Sequence, residues 1–420
     1  VQFVITISEN FSIMDSISGK TKYLLGIQHV LAMFGATVLV PFLTGLNPVL
    51  ALFTAGIGTL VFHQVTNKIV PVFLGSSFAF IGAIGLVLKN EGLASVKAGI
   101  IGAGLIYVLM SFVIRKFGVK RVQSFFPPIV IGPTIMVIGL RLSPIALNMA
   151  GYDDGKFDNQ SLIISLSVII TMVISSMLKN SFFRLMPILI SVTVGYFIAA
   201  MMGVVDYTAI EDANWIGFSS TTVDQILTIP AFSVSGFFAI APIALVVFIE
   251  HIGDITTNGA VVGKNFFKQP GIHKTMLGDG LATILAGLLG GPANTTYGEN
   301  TGVLAVTKVY DPSVIRIAAV FAITLSLIGK VGAVLQTIPV PVMGGISIIL
   351  FGMIAAVGVR TLISAKLDFG HSRNLIIAAI IFVLGIGIKE VAIYGEVSVS
   401  GLTIAALIGV ILNKLLPRDI

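Results

Sequence analysis

The chain has 420 residues, of which 56% are hydrophobic and only 10% charged, with a mean hydropathy of +1.03. Globular chains carry about 25% charged residues, so this one has too little polar surface to fold in water. A formal charge of +6 without a single cysteine points to basic loops beside a membrane rather than to nucleic acid, and excludes disulfides and thiolate metal sites.

The polar N-terminus, Val1 to Lys22, has no basic n-region or cleavage site and does not read as a removable signal peptide. Beyond it, many apolar runs approach the roughly 20 residues that a helix needs to cross a bilayer. They predict fourteen spans, near 23–43, 46–66, 69–88, 97–114, 127–148, 161–178, 185–205, 230–250, 275–290, 293–308, 313–330, 338–358, 374–388 and 399–416. The expected fold class is therefore an all-α polytopic membrane protein. With the N-terminus inside, most of the 25 Lys and Arg fall on the cytoplasmic side, among them Lys68, Arg115, Lys120, Arg184, Lys264, Arg373 and Arg418. The acidic loops 153–158 and 206–224 fall on the other side, the second with Trp215, the only tryptophan. Loop-charge sorting produces this asymmetry.

The sequence also resembles itself. Gln123, Pro128, Gly132 and Gly139 recur as Gln336, Pro341, Gly345 and Gly352, each 213 positions later. The two sets open the fifth and twelfth spans. Seven spans per half would place the halves in opposite orientations, an arrangement found in secondary transporters.

Two spans break the plain helix pattern. The third carries Gly75-Ser76-Ser77-Phe78-Ala79-Phe80 after Pro71, and the tenth carries the run from Gly290 to Asn300, including Asn294, Tyr297, Gly298 and Glu299. Irregular backbone at membrane depth survives only where protein or a wet cavity satisfies it. Paired interruptions at corresponding positions point to a transporter's central site, with N–H donors at the half-helix starts. Close helix packing through glycine is the blander reading. A third cluster, Glu250-His251-Ile252-Gly253-Asp254, ends the eighth span, with Glu250 and Asp254 on one helix face. A carboxylate in hydrocarbon is expensive, and two close ones resist ionising together, as a proton-coupling element requires; for Asp254 a solvated helix end is the alternative. His29, beside Gln28 in the first span, reads more readily as a structural hydrogen-bonding group than as a ligand. No metal-ligand spacing, P-loop or nucleophile elbow is present, so no metal or cofactor is expected and an ion gradient is the expected energy source.

These motifs resemble the nucleobase–ascorbate transporter family. Glu299-Asn300-Thr301-Gly302-Val303-Leu304-Ala305-Val306-Thr307-Lys308 fits that family's signature of Gln, Glu or Pro, then Asn, any residue, Gly, any four residues, Thr, and Arg, Lys or Gly. Gln28-His29 looks like its first-span motif, and Glu250 matches its eighth-span glutamate. Within the family, Gly75 to Phe80 and Tyr297 to Asn300 look most like bacterial uracil–proton symporters. The resemblance implies two inverted seven-span repeats. A core domain would comprise 1–114 and 230–330, a gate domain 115–207 and 331–420, and short antiparallel strands in spans three and ten would meet at mid-membrane. It implies that Glu250 and Glu299 receive uracil N–H groups and that the amides of Phe78 and Gly298 donate to its carbonyls. Ser77 and Tyr297 would line the site, and His29 and Asn300 would support it; the assistance of Asp254 to Glu250 in proton coupling is expected from their spacing and not from the resemblance. It further implies a multi-pass protein of the bacterial cytoplasmic membrane with both termini cytoplasmic, partnered by the base, protons and lipid, with a homodimer through the gate domain.

One position departs: the symporters have His four residues after the eighth-span glutamate, whereas this chain has Asp254. Purine permeases look similar there but use Gln in place of Glu299. The closest competing reading is thus a xanthine or uric acid permease. An anion exchanger or channel of the related fold would want basic rather than acidic residues at the half-helix starts. A membrane enzyme using the two carboxylates as acid and base is the third class.

Overall fold

In hydrocarbon every backbone N–H and C=O must find its partner within the protein, and apolar runs meet that demand as helices. A computed structural model describes residues 18–118, 121, 124, 127–180, 183, 186–394 and 397–417. Gln123 of the expected repeat, Lys120, Arg184 and Arg418 of the basic loops, and most of the polar N-terminus lie outside the described residues.

Ser18 caps α1 (Gly19–Thr44) by accepting from the Thr21 N–H, and Gly45 closes it in the left-handed conformation, φ 82°. Asn47 caps α2 (Pro48–Val65), whose first residue is a proline that has no N–H to leave unpaired. The chain then runs extended through β1 (Leu74–Ser76), a 3-10 turn at Phe78–Phe80, α3 (Ile81–Glu91) and α4 (Leu93–Phe117). Next come α5 (Pro128–Arg141), α6 (Ser143–Met149), a small hairpin of β2 (Tyr152–Asp153) and β3 (Lys156–Phe157), α7 (Asn159–Met177) and α8 (Pro187–Met201). A connection carrying α9 (Thr208–Asp212) and α10 (Ser220–Leu227) leads to α11 (Val234–Ile240), a 3-10 turn at Ala241–Ile243 and α12 (Ala244–Val262). After α13 (Ile272–Leu289) follow β4 (Asn294–Thr296), α14 (Gly298–Thr307), α15 (Pro312–Ser326) and α16 (Gly329–Gln336). The chain ends with α17 (Val340–Ser364), α18 (Ser372–Gly387), a hairpin of β5 (Glu390–Tyr394) and β6 (Val397–Ser400), and α19 (Gly401–Leu415).

Among the described residues, seven helical stretches are long and apolar enough to cross a membrane, or eight if the bent pair α15–α16 counts as one. The protein is a mostly helical, multi-pass membrane protein. That is fewer than the fourteen spans expected, and the difference lies in particular elements. The third and tenth positions hold a strand followed by a short helix, and α8, α18 and α19 are apolar but short.

Two sets of helices pack among themselves. α13 lies against α4 and α2, and α15 against α2 and α1; separately, α17 lies against α5 and α7, and α18 against α19 and α5. Glycine sets the α5–α17 contact. A Cβ at Gly139 would collide with the Phe351 carbonyl oxygen, and one at Gly358 would stand 2.5 Å from that of Gly132. Only bare backbone allows two helices to approach this closely.

Two expectations need correction. The cluster Glu250–Asp254 does not end its helix: α12 continues to Val262. The small and polar residues Gly253, Thr256, Thr257 and Asn258 lower the hydropathy there without interrupting the backbone bonds. The β2–β3 and β5–β6 hairpins were not expected; their strands are short and lie between helices, where a turn and a strand edge look alike in sequence.

Candidate functional site

β1 and β4 pair antiparallel, with Leu74 opposite Thr296, Gly75 opposite Thr295 and Ser76 opposite Asn294. All six residues are buried. The bonds around the crossing repeat as if by a local two-fold axis. Ser77 N donates to Ala293 O at 2.9 Å, and Tyr297 N to Phe73 O at 3.0 Å. The first residue of each strand is held by a threonine of the preceding helix. Thr59 Oγ1 accepts from Leu74 N and donates to Leu74 O (2.9 and 3.4 Å). Thr283 Oγ1 does the same for Asn294 (3.3 and 3.2 Å). Buried backbone groups away from a helix are thereby satisfied one by one, as hydrocarbon demands.

Beyond each strand a helix begins, the 3-10 turn at Phe78 and α14 at Gly298. Neither start has a side-chain cap, since Ser77 and Tyr297 make no capping bond. The amides of Ser77 and Tyr297 are committed to the crossing. Those of Phe78 and Gly298 are the first in their helices and have no partner within them. Gly298 faces open space: a Cβ there would meet nothing within 4 Å, and the same holds at Gly302 and Gly253.

Glu299, one residue into α14, turns its carboxylate back to its own backbone N–H. Glu250, on α12, is partly accessible and lies within electrostatic reach of Glu299 and Asp279. Asp254, one turn further along, accepts from Thr296 Oγ1 at 2.8 Å and so ties α12 to β4. Phe78 is partly accessible and meets Phe351 of α17 edge-on, ring centroids 6.5 Å apart. Tyr297 is buried; its hydroxyl donates to Ser76 O at 2.9 Å and its ring fills the space that a Cβ at Gly75 would need. The Ser77 hydroxyl is buried without a hydrogen-bond partner. Asn300 Nδ2 reaches both His29 Nδ1 and His29 O at 3.1 Å, which pins α14 to α1. The structure thus brings Glu250, Asp254, Glu299, Phe78 and Gly298 around one crossing. Tyr297, His29 and Asn300 stand behind it, holding the backbone.

Sequence reading missed the layer behind Glu250. His251 Nδ1 and Asp279 Oδ2 stand at hydrogen-bond distance, 2.7 Å, with both side chains fully buried, and His251 Nε2 meets Thr275 Oγ1 at 2.8 Å. Asn258 Nδ2 bridges Pro71 O (3.2 Å) and Thr301 Oγ1 (3.1 Å). An acid flanked by Gly278 and Gly280 inside an apolar span was the available signal for Asp279.

Comparison with known proteins fits this arrangement. A family model described as a permease family, Xan_ur_permease, matches residues 20–393. A probable uracil permease of Haemophilus influenzae is 40% identical over 97% of both chains. The uracil permease of Bacillus caldolyticus is 42% identical, covering 94% of this chain and 91% of its own. Among solved structures, the transmembrane domain of a cyanobacterial bicarbonate transporter, BicA, superposes with a TM-score of 0.63 over 94% of this chain and 96% of its own, at 16% identity. At that identity the likeness concerns the fold alone. The matched segment contains both strands, both uncapped helix starts and all three site carboxylates, and the chain belongs to this permease family: it is a transporter, not an enzyme.

Proposed function

We propose that this permease takes up uracil with protons by alternating access across the bacterial cytoplasmic membrane, with both termini on the cytoplasmic side. The observation that carries the reading is the crossing of β1 and β4, which sets two uncapped helix starts beside Glu250 and Glu299. Uracil has two N–H donors and two C=O acceptors around a flat ring. Carboxylates complement the donors, the amides of Phe78 and Gly298 complement the acceptors, and the Phe78 ring covers a face. Polar complementarity of this kind rejects analogues that lack one group. Relatives named as uracil permeases, about 40% identical over nearly the whole length, support the choice of base. Glu250 is the proposed proton carrier, with Asp254 tuning it.

The proposed architecture is fourteen spans in two inverted seven-span repeats. The core domain is residues 1–114 and 230–330, and the gate domain 115–207 and 331–420. The two-fold pattern of bonds around the crossing supports an inverted relation, and so do the two sets of mutually packed helices. By family resemblance, the gate domain is also the proposed homodimer surface. An anion substrate suits the acidic neighbourhood poorly.

A thermal-shift panel of uracil, thymine, xanthine, hypoxanthine and uric acid tests the substrate, because a ligand of the native state raises apparent stability. Uracil is expected to give the largest rise, and Glu299→Ala to remove it while the protein stays folded. A larger rise with xanthine or uric acid would assign the chain to purines. An unchanged uracil response in folded Glu299→Ala would take Glu299 out of the site.

A further inference from the structure

The connection from α8 to α11 is fastened along its length to one set of helices. Lys97 of α4, a residue with no exposed surface, donates through Nζ to the carbonyls of Gln225, Ile226 and Thr228, at 3.0, 3.1 and 2.6 Å. A cation at the end of α10 also complements the helix dipole. Asn47 Nδ2, ahead of α2, reaches Thr222 Oγ1 and Gln225 Oε1, both at 2.9 Å. At the junction of α15 and α16, Gly217 N donates to Leu327 O (2.8 Å) and Gly329 N to Trp215 O (3.1 Å). Lys330 Nζ sits 5.9 Å from the Trp215 ring centroid and also donates to Glu211 O at 3.2 Å.

Held in this way, the connection still leaves large apolar side chains uncovered. Trp215 is 73% exposed, Ile216 84%, Ile229 82% and Phe232 69%. Four acidic residues of the same connection, Asp206, Glu211, Asp212 and Asp224, are exposed as well. Two features fix the level at which it lies. α16 turns 79° from α15, so the two cannot both run along the membrane normal. The backbone of Trp215 and Gly217 is bonded to the residues of that turn. At its other end Phe232 lies two residues before the 29-residue apolar stretch Val234–Val262.

We propose that residues 208–232 form an interfacial strap whose Trp215–Ile216 and Ile229–Phe232 edge enters the boundary between lipid headgroups and acyl chains at the surface where α15 ends. An amphipathic tryptophan ring is suited to that boundary, where its N–H stays wet and its ring leaves water. The ammonium of Lys330 stands over the ring, as a cation does at headgroup level. The strap's exposed carboxylates, Glu211, Asp212 and Asp224, need water or headgroups about them, which keeps the strap from sinking into the acyl chains. Because the strap bonds to α4, α15, α16 and the turn before α2, it moves with those helices.

Trp215 is the chain's single tryptophan, so the emission of the unaltered protein reports this residue alone. The protein is reconstituted into phosphatidylcholine bilayers, either plain, brominated near the glycerol end of the acyl chains, or brominated deep in them. Shallow bromine is expected to cut emission about twofold, deep bromine less, with acrylamide quenching weak. Full quenching by acrylamide with no effect of bromine would place the ring in water and overturn the proposal. Protection from both quenchers would assign the surface to a second copy of the chain or to another protein, and would equally overturn it. With Trp215→Phe and Ile229→Trp combined, the same shallow-over-deep order is expected; quenching by acrylamide alone would remove the second contact.

Discussion

Glu250 and Glu299 reach the same crossing from different helices, and the two demand different tests. Glu299 sits within the first turn of α14 beside amides that have no helical partner, where a carboxylate is favoured by the exposed N–H groups. Glu250 lies deep in α12, and behind it His251 is held between Asp279 and Thr275. Removing one partner of such a buried hydrogen bond leaves a polar group unsatisfied at a cost of about 1–3 kcal/mol, so that layer reads as a rigid backing for Glu250. Replacing Glu250 by Gln keeps shape and hydrogen bonding but leaves nothing to titrate. Glu250→Gln in proteoliposomes is expected to exchange labelled uracil for unlabelled base while failing to concentrate it under an imposed pH gradient. Gradient-driven accumulation at the normal level would place the coupling proton on another group. Sequence made Glu250 and Glu299 visible because each interrupts an apolar run. It left Asp279 obscure, because its partner His251 is 28 positions away and only the packing of α12 beside α13 brings them together.

At the scale of elements, the interrupted spans were legible and their neighbours less so. Gly75 and the polar run Asn294–Thr296 cannot pass for plain membrane helix, and both became strands at the expected places. The bend between α15 and α16 was hidden, because Leu327 and Ile328 are as apolar as the helix before them. Helix α15 also shows how a loop end is secured. Asp311 caps it through the Ser313 N–H at 2.8 Å and pairs with Lys22 of α1 at 2.7 Å. Burial alone would raise the Asp311 pKa, but the bonds from Lys22 and Ser313 outweigh it and hold the carboxyl below its usual range. A depressed carboxylate stabilises the fold above its unfolded pKa and loses that contribution as pH falls through the folded one. Asp311→Ala is therefore expected to lower thermal stability at neutral pH by about 0.5–2 kcal/mol, chiefly through the lost cap. The difference from wild type should shrink as pH drops below the ordinary carboxylate range. A difference that persists unchanged in acid would show that the charge on Asp311 contributes nothing.

For the whole molecule, the proposed alternating access requires that the proposed core and gate domains move past one another. In that proposed division the core segment α11–α12 meets the gate helix α19 at an apolar crevice, in which Pro242, Leu245, Val246 and Ile249 face Thr403, Ala406, Leu407 and Val410. Such a surface can slide, because few hydrogen bonds need to break when its members shift. The strand crossing cannot, since its backbone bonds hold the β1 and β4 segments together as one body. Binding and movement are accordingly separable, and the chain offers a clean background for separating them because it contains no cysteine. Leu245→Cys combined with Ala406→Cys, joined by a short bifunctional thiol reagent, should tie α12 to α19 across the crevice. The cross-linked protein is expected to keep its uracil-induced thermal shift and to lose uptake at least about tenfold, with recovery when a cleavable linker is reduced. Each single-cysteine variant treated with the same reagent should transport normally. Undiminished uptake by the fully cross-linked pair would mean that α12 and α19 travel together, and the proposed division into core and gate would have to be redrawn.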